Sequence, residues 1–380
     1  MTETLLPWLQ RLFDHQSVNG LRNALAVMHP AFNQLPARIA IVGTAGEGLR
    51  LARLCRTHGI EIAAIADDNP DRQGEVVEGL KVVAVPALEA LDKATPIVIA
   101  SHRVLKATDR LKGLGFVHVA PFALLQVLNG RIFPPHMFYD GWLEDLLAHR
   151  DRYVALAKRL ADDDSRRVLN AVLAFRQTLD PQHLAPVVQW ELYKPGDLIR
   201  FESDEVYVDA GTFDGDTIHL FIERTGGRFE RILGFEPDPV TFQRLAANFA
   251  GEPRVEPVNA GLYDRKTVLH FHNDASRGSV LGEEGAIEVA VVALDDILDG
   301  QRASFIKMNI EGAELKALEG ARRTLTTCYP KLAISAYHRP ADLWEVAATL
   351  DGIRNDYNLF LRQHDGGVIE TVLYALPVTC

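Results

Sequence analysis

Short apolar runs alternate with stretches of helical periodicity twice along this chain. That alternation admits few folds besides parallel sheets wrapped by helices. The first series is RIAIVG (38–43), EIAAIADD (61–68), LKVVAV (80–85), PIVIAS (96–101) and FVHVAP (116–121). The second is EVYVDAG (205–211), RILGFEP (231–237), RVEPVNA (254–260), ASFIKMNIEG (303–312), LAISAYH (332–338), YNLFLRQHD (357–365) and IETVLYALP (369–377). Between them, 141–180 reads as two long helices joined by the polar break DDDS (162–165). Asp365-Gly366-Gly367 separates the last two runs and predicts a terminal hairpin.

A length of 380 residues is comfortable for two domains. Lys plus Arg number 40 against 51 Asp plus Glu, a net charge of −11, which gives no electrostatic footprint for nucleic acid and opposes anionic lipid. Cys55, Cys328 and Cys380 show no paired spacing, which argues against a disulfide framework or a zinc knuckle. The opening MTETLLPWLQRLFDHQ lacks the basic start of a secretory signal, and no run of 18 apolar residues predicts a membrane span. A cytoplasmic location is expected.

The most informative stretch is VYVDAGTFDGDT (206–217). A strand ends at Asp209, and a loop with Gly211 and Gly215 opens the next helix. The glycines permit close backbone approach to a ligand, and the helix start offers free N–H groups. Asp209, Asp214 and Asp216 would repel a phosphate but suit a ligand with a cationic centre and a free amino group, such as S-adenosyl-L-methionine. A plain strand-to-helix turn is the competing explanation. The next strand ends FEPDP (235–239), with Glu236 twenty-five residues after Gly211. An acid there can accept hydrogen bonds from both ribose hydroxyls.

These segments, with FIKMNIEGAE (305–314), AYHRPADLWE (336–345), FLRQH (360–364) and ETVLY (370–374), resemble the FkbM family of S-adenosylmethionine-dependent methyltransferases from about Glu202 to Pro377. The resemblance implies a class I methyltransferase: α/β, Rossmann-like, with a seven-stranded sheet ending in an antiparallel hairpin. It implies mostly O-methylation of saccharide or polyketide hydroxyls. Asp209, Gly211 and Gly215 would hold the methionine end of the cofactor, with Thr212, Phe213, Asp214 and Asp216 in the same loop. Glu236 would hold the ribose, and Asn259 sits where the adenine edge is usually read. The family usually has Asp where this chain has Asn309, and an amide can orient a hydroxyl but cannot take its proton.

His338 is the first candidate base, since it follows the fifth strand on the ligand-binding face and its ordinary pKa is near neutral. Glu311 and Asn309 complete the catalytic set, with Glu311 and His364 as reserve bases; Arg362 and His364 are expected on the turn between the sixth and seventh strands. The competing readings are a helix-entry histidine, a helix N-terminal carboxylate and surface loop residues. Asp295-Asp296 reads as a solvated helix start, and no ligand spacing calls for a metal.

In the first series, IVGTAGEG (41–48) lacks the G-x-G-x-x-G spacing because Ala45 takes the second glycine position. With Asp67 and Asp68 after the second strand, residues 37–125 resemble the small Rossmann-like domain preceding acyltransferases that act on nucleotide-linked amino sugars. That resemblance implies a nucleotide-sugar site at the 43–48 backbone; the alternative is a docking or dimerisation module. The expected division is an N-terminal helical segment (1–36), a Rossmann-like domain (37–130), a helical linker (131–200) and a methyltransferase domain (201–380). The leading expectation is O-methylation of a sugar or similar small-molecule or glycan acceptor. The alternatives are a nucleotide-sugar-binding or assembly protein with a silent methyltransferase domain, and a nicotinamide-dependent oxidoreductase. Self-association is compatible with each.

Overall fold

The computed structural model describes residues 6–135, 138–193, 198–271, 281–282 and 287–378. The chain divides into two compact units. One comprises 1–157, 166–190 and 363–370; the other comprises 158–165, 191–362 and 371–380.

The first series contributes α1 (Pro7–Asp14), α2 (Val18–Met28), β1 (Arg38–Val42), α3 (Gly46–Thr57), β2 (Glu61–Ala66), β3 (Val76–Val77), β4 (Leu80–Val83), β5 (Ile97–Ile99), α4 (Leu105–Gly113), β6 (Val119–Pro121) and α5 (Phe122–Leu128). The sheet order is β3-β4-β2-β1-β5-β6, parallel except for the β3–β4 pair. The apolar runs become strands because Ile39 to Val42 and Ile97 to Ile99 are all buried, as central parallel strands must be.

The region read as two long helices holds three: α6 (Trp142–Ala148), α7 (Arg150–Arg159) and α8 (Asp163–Thr178). The DDDS segment opens α8, and Asp162 accepts the Ser165 N–H at 2.7 Å in the manner of a helix cap.

The second series supplies β7 (Val206–Ala210), α9 (Asp216–Thr225), β8 (Arg231–Phe235), α10 (Pro239–Asn248), β9 (Val255–Val258), β10 (Gly261–Leu262), β11 (Thr267–Phe271), β12 (Leu281–Gly282) and β13 (Ile287–Val292). It continues with α11 (Leu294–Leu298), β14 (Phe305–Met308), α12 (Glu314–Gly320), α13 (Arg322–Thr327), β15 (Lys331–Ser335), α14 (Asp342–Ile353), β16 (Tyr357–Gln363) and β17 (Thr371–Pro377). Seven strands form one sheet in the order β16-β17-β15-β14-β7-β8-β9, with β17 antiparallel to β15. β10 to β13 form a separate four-stranded sheet that the sequence reading did not anticipate.

One face of the large sheet is held by stacked aromatics: Tyr207 lies 4.5 Å from Phe221 and 4.9 Å from Phe305, ring centre to ring centre. The chain leaves β9 and returns at β14, beside β7. The sheet therefore reverses its order between β7 and β14, and the carboxyl ends there form the crevice where such sheets bind ligands.

Candidate cofactor and catalytic site

At the end of β7, Asp209 is fully buried. Lys307 Nζ, from the neighbouring β14, donates to Asp209 Oδ1 at 2.9 Å, and the Thr217 hydroxyl donates to the other oxygen. The same ammonium donates to the carbonyl oxygens of Gly211 at 2.8 Å and Ala210 at 3.3 Å. Asp209 was expected to hold the methionine end of a cofactor; the structure shows it with no exposed surface and hydrogen-bonded on both oxygens within the protein. It acts here as the anchor of the loop that follows. Lys307 was not singled out from the sequence.

That loop is tightly determined. The N–H groups of Gly211 and Thr212 donate to the Phe235 carbonyl at 3.0 and 3.2 Å. Gly211 has φ +78°, and a Cβ there would lie 1.9 Å from the Asn309 carbonyl oxygen. Gly215 has φ +97°, and a Cβ would lie 2.3 Å from the Phe249 ring. The glycines are thus required by protein packing as well as by backbone conformation. Between them, Phe213 has φ +51° and its side chain is 45% exposed. A bulky residue in that conformation stores strain, a feature concentrated at ligand sites. Asp214 is half-buried and its carbonyl accepts from Asn248 at 2.8 Å. Asp216 is exposed and opens α9.

Glu236, directly after β8, is 8% exposed. Its carboxylate accepts the Phe213 N–H at 3.0 Å on one oxygen and the Asp238 N–H at 2.9 Å on the other. Burial pushes it up to about 7, partly offset by those two amides. Each oxygen retains a lone pair, so the group can still accept from a ligand hydroxyl. Asn259, after β9, is exposed and donates its side-chain amide to the carbonyls of Glu236 at 2.9 Å and Pro237 at 3.2 Å. It therefore pins the end of β8.

After β14 a second cluster forms. The Asn309 N–H donates to Ala210 O at 3.1 Å, and its side-chain oxygen accepts from the Tyr337 hydroxyl at 3.3 Å. Glu311 adopts φ +55°. His338 is buried with Nδ1 2.9 Å from Glu314 Oε1 and Nε2 3.7 Å from Glu311 Oε2. Burial alone would lower its pKa, but the carboxylates of Glu314 and Glu311 outweigh that and raise it to about 9. Burial opposes the charge on Glu314 too, yet His338 and the Ile310 N–H hold it below the ordinary range. Asp342 is lifted to about 6, first by burial and then by Glu314, with Arg339 pulling the other way.

His338 is therefore an imidazolium at neutral pH. That departs from its expected role as the base, because the two carboxylates keep its proton in place. Glu314, His338 and Asp342 each offer a ligand atom within 4.8 Å of the others. Ion pairing with the imidazolium and with the Arg339 guanidinium, which donates to Asp342 Oδ1 at 2.7 and 2.9 Å, accounts for that proximity. Neither Glu314 nor Asp342 was foreseen. The signal available was a carboxylate three residues after Glu311 and another four after His338.

The two residues expected on the turn after the sixth strand lie elsewhere. Arg362 is buried and bound to Asp162 at 2.7 Å and the Ser165 hydroxyl at 2.8 Å. His364 belongs to the first unit, with Nδ1 2.9 Å from Gln189 O. Asp295 and Asp296 lie in the first turn of α11, with Asp296 exposed; Asp295 is half-buried and also accepts the backbone N–H groups of Arg323 at 2.7 Å and Thr324 at 2.8 Å at the start of α13.

In the first unit, Asp67 Oδ2 accepts from the N–H and hydroxyl of Thr44 at 2.7 and 2.6 Å, and Oδ1 from the Asn69 N–H at 2.8 Å. Asp68 pairs with Arg110. Gly48 lies where a Cβ would be 2.0 Å from the Gly43 carbonyl oxygen. Glu47 stands in the first turn of α3, bound twice by Arg50 at 2.8 Å. A carboxylate there occupies the helix start at which a diphosphate would be held.

Numbered from β7 as the first main strand, the large sheet runs 6-7-5-4-1-2-3 with its seventh strand antiparallel. Together with the acidic loop and Glu236, this defines a Rossmann-like class I methyltransferase fold. Residues 209–364 match the family described as Methyltransferase FkbM domain. It is similar over 97% of its length to the whole of the crystal structure of methyltransferase FkbM from Methylobacillus flagellatus, at 28% identity and a TM-score of 0.74. It is remotely similar to an rRNA methylase from Streptococcus thermophilus, at 14% identity and TM-score 0.32, covering 53% of this chain and 95% of that one. A fibrillarin from Aeropyrum pernix, solved with natively bound S-adenosyl-L-methionine, stands at 12% and 0.32, covering 47% and 70%. No curated protein matches the chain. Among the described residues no helix is long and apolar enough to cross a membrane.

Proposed function

We propose that the second unit uses S-adenosyl-L-methionine to methylate a hydroxyl of a sugar or other hydroxylated acceptor. The observation that carries this reading is the Glu236 carboxylate, oriented by two backbone amides beside the strained, acidic 211–216 loop. The donor set suits the group: the crevice offers carboxylates to a sulfonium, an amino group and ribose hydroxyls. Its buried cation, Lys307, is neutralised by Asp209.

Bound there, the cofactor would supply an activated methyl group. Glu236 would accept from the ribose, and the loop fixed by Asp209 and Lys307 would hold the methionine end. Asn259 would brace the strand end under the adenine. Alignment of donor and acceptor can contribute roughly 7–11 kcal/mol to such a displacement.

The acceptor hydroxyl must also lose its proton. Glu311 is the part-exposed carboxylate of the second cluster, and His338, charged and backed by Glu314, holds it in place. We assign Glu311 to the acceptor hydroxyl, Asn309 to its orientation, and His338 to positioning.

The test is methyl transfer from isotopically labelled S-adenosyl-L-methionine to a panel of saccharides, polyols and phenols, with products analysed by mass spectrometry and NMR. An O-methylated saccharide is the expected product. Transfer only to nitrogen or carbon acceptors would contradict the assignment. Cofactor binding without turnover on any acceptor would favour the second reading, a silent domain, for which the amide of Asn309 is the specific observation.

A further inference from the structure

The first unit contains a cleft of about 770 Å³, walled by residues of α5 and α6, by 129–132, Pro135 and 139–141, and by Arg22 of α2. Three of its lining side chains bury a polar atom that has no partner among the described residues: Gln126 Oε1, Asn129 Nδ2 and Trp142 Nε1. Gln126 and Trp142 are 2% and 1% exposed, so bulk water does not satisfy them. Buried polar groups are nearly always paired, and three orphans around one cavity of ligand size call for an explanation.

Their chemistry restricts the occupant. The Gln126 amide has its polarity fixed, because Nε2 donates to Glu47 at 3.3 Å and leaves the oxygen as the open end. That oxygen needs a donor, whereas Asn129 Nδ2 and Trp142 Nε1 need acceptors. A phosphodiester or fully ionised phosphate only accepts and an ammonium only donates; a hydroxyl does both. The charged residues of the lining cancel, Arg22 and Arg131 against Asp140 and Glu144. No net field selects an ion, and Glu47 disfavours a phosphate at the adjoining start of α3.

We propose that this cleft binds an uncharged, polyhydroxylated ligand of the saccharide class. The proposal stands on the cleft of the first unit and does not depend on the methyl-transfer reading.

The test is ligand-observed saturation-transfer NMR on the full chain, with neutral methyl glycosides and disaccharides as probes and uridine diphosphate as the anionic comparison. The wild-type chain should give saturation transfer to at least one glycoside and none to uridine diphosphate. Gln126→Met and Asn129→Leu, which replace the open polar ends at nearly constant volume, should each weaken that binding about tenfold. Both variants are checked for a cooperative thermal transition, so a loss of fold in one leaves the other to decide. Absence of binding by every neutral saccharide would overturn the proposal. Binding that survives in a folded variant would overturn it as well, and so would displacement of the sugar by uridine diphosphate.

Discussion

Lys307 and Asp209 face each other across the β14–β7 ladder, both buried, with Nζ 2.9 Å from Oδ1. Their pairing is the support on which the 211–216 loop rests, since the same ammonium also binds the Gly211 carbonyl. Removing one partner of a buried pair strands the other charge, a change that costs about 3–5 kcal/mol. Lys307→Met should lower stability by that amount in denaturant unfolding, and Lys307→Met with Asp209→Asn should recover part of it. Additive losses in the double-mutant cycle would show that the two groups do not act as a pair.

Glu236 titrates near 7 because it is buried. A ribose hydroxyl is accepted best by the ionised form, so affinity for S-adenosylhomocysteine should rise with pH as the carboxyl ionises. Calorimetry at about pH 6 and pH 8 should differ by roughly tenfold, the higher pH binding more tightly. A flat profile would remove Glu236 from the ribose site.

His338 makes an opposite prediction for stability. Its pKa is raised from 6.5 to about 9 in the folded chain. The folded state therefore keeps a proton that the unfolded state has lost, and the stabilisation is complete below about 6.5, declines above it and is gone past about 9. The difference in melting temperature between wild type and His338→Gln should be widest in mildly acidic buffer and close by about pH 10. A gap that stays constant would mean that His338 is neutral throughout.

Glu311→Gln should lower kcat by about 10²–10⁴-fold, the usual contribution of a positioned proton acceptor, and leave S-adenosylhomocysteine affinity unchanged. An unaltered kcat would exclude Glu311 from the proton step. His338→Gln should show a smaller loss in kcat than Glu311→Gln if His338 only positions the carboxylate.

The main strands of both large sheets were legible because fully buried parallel strands are written as continuous apolar runs, as in RIAIV and KLAIS. The small sheet was not, since β10 and β12 are two residues each and leave no periodicity to read. Glu236 was visible as an acid at a strand end. Lys307 was overlooked although a lysine inside an apolar strand is itself a signal that a buried partner exists. The charge state of His338 could not be read, because it depends on Glu314 approaching from α12, twenty-four residues earlier in the chain. In the same way, the glycine-rich pattern suggested a ligand for Gly211, whereas the approach of the Asn309 carbonyl is what forbids a side chain there.

Whether Glu236 and the loop beside it hold S-adenosyl-L-methionine is decided by calorimetric titration with S-adenosylhomocysteine of the wild-type chain and Glu236→Ala. One-to-one binding by the wild type should be weakened by roughly 1.5–3 kcal/mol in the variant, as charged hydrogen bonds to the ribose are lost. Folded wild-type protein that binds no S-adenosylhomocysteine, or a variant that binds it equally well, would contradict that assignment.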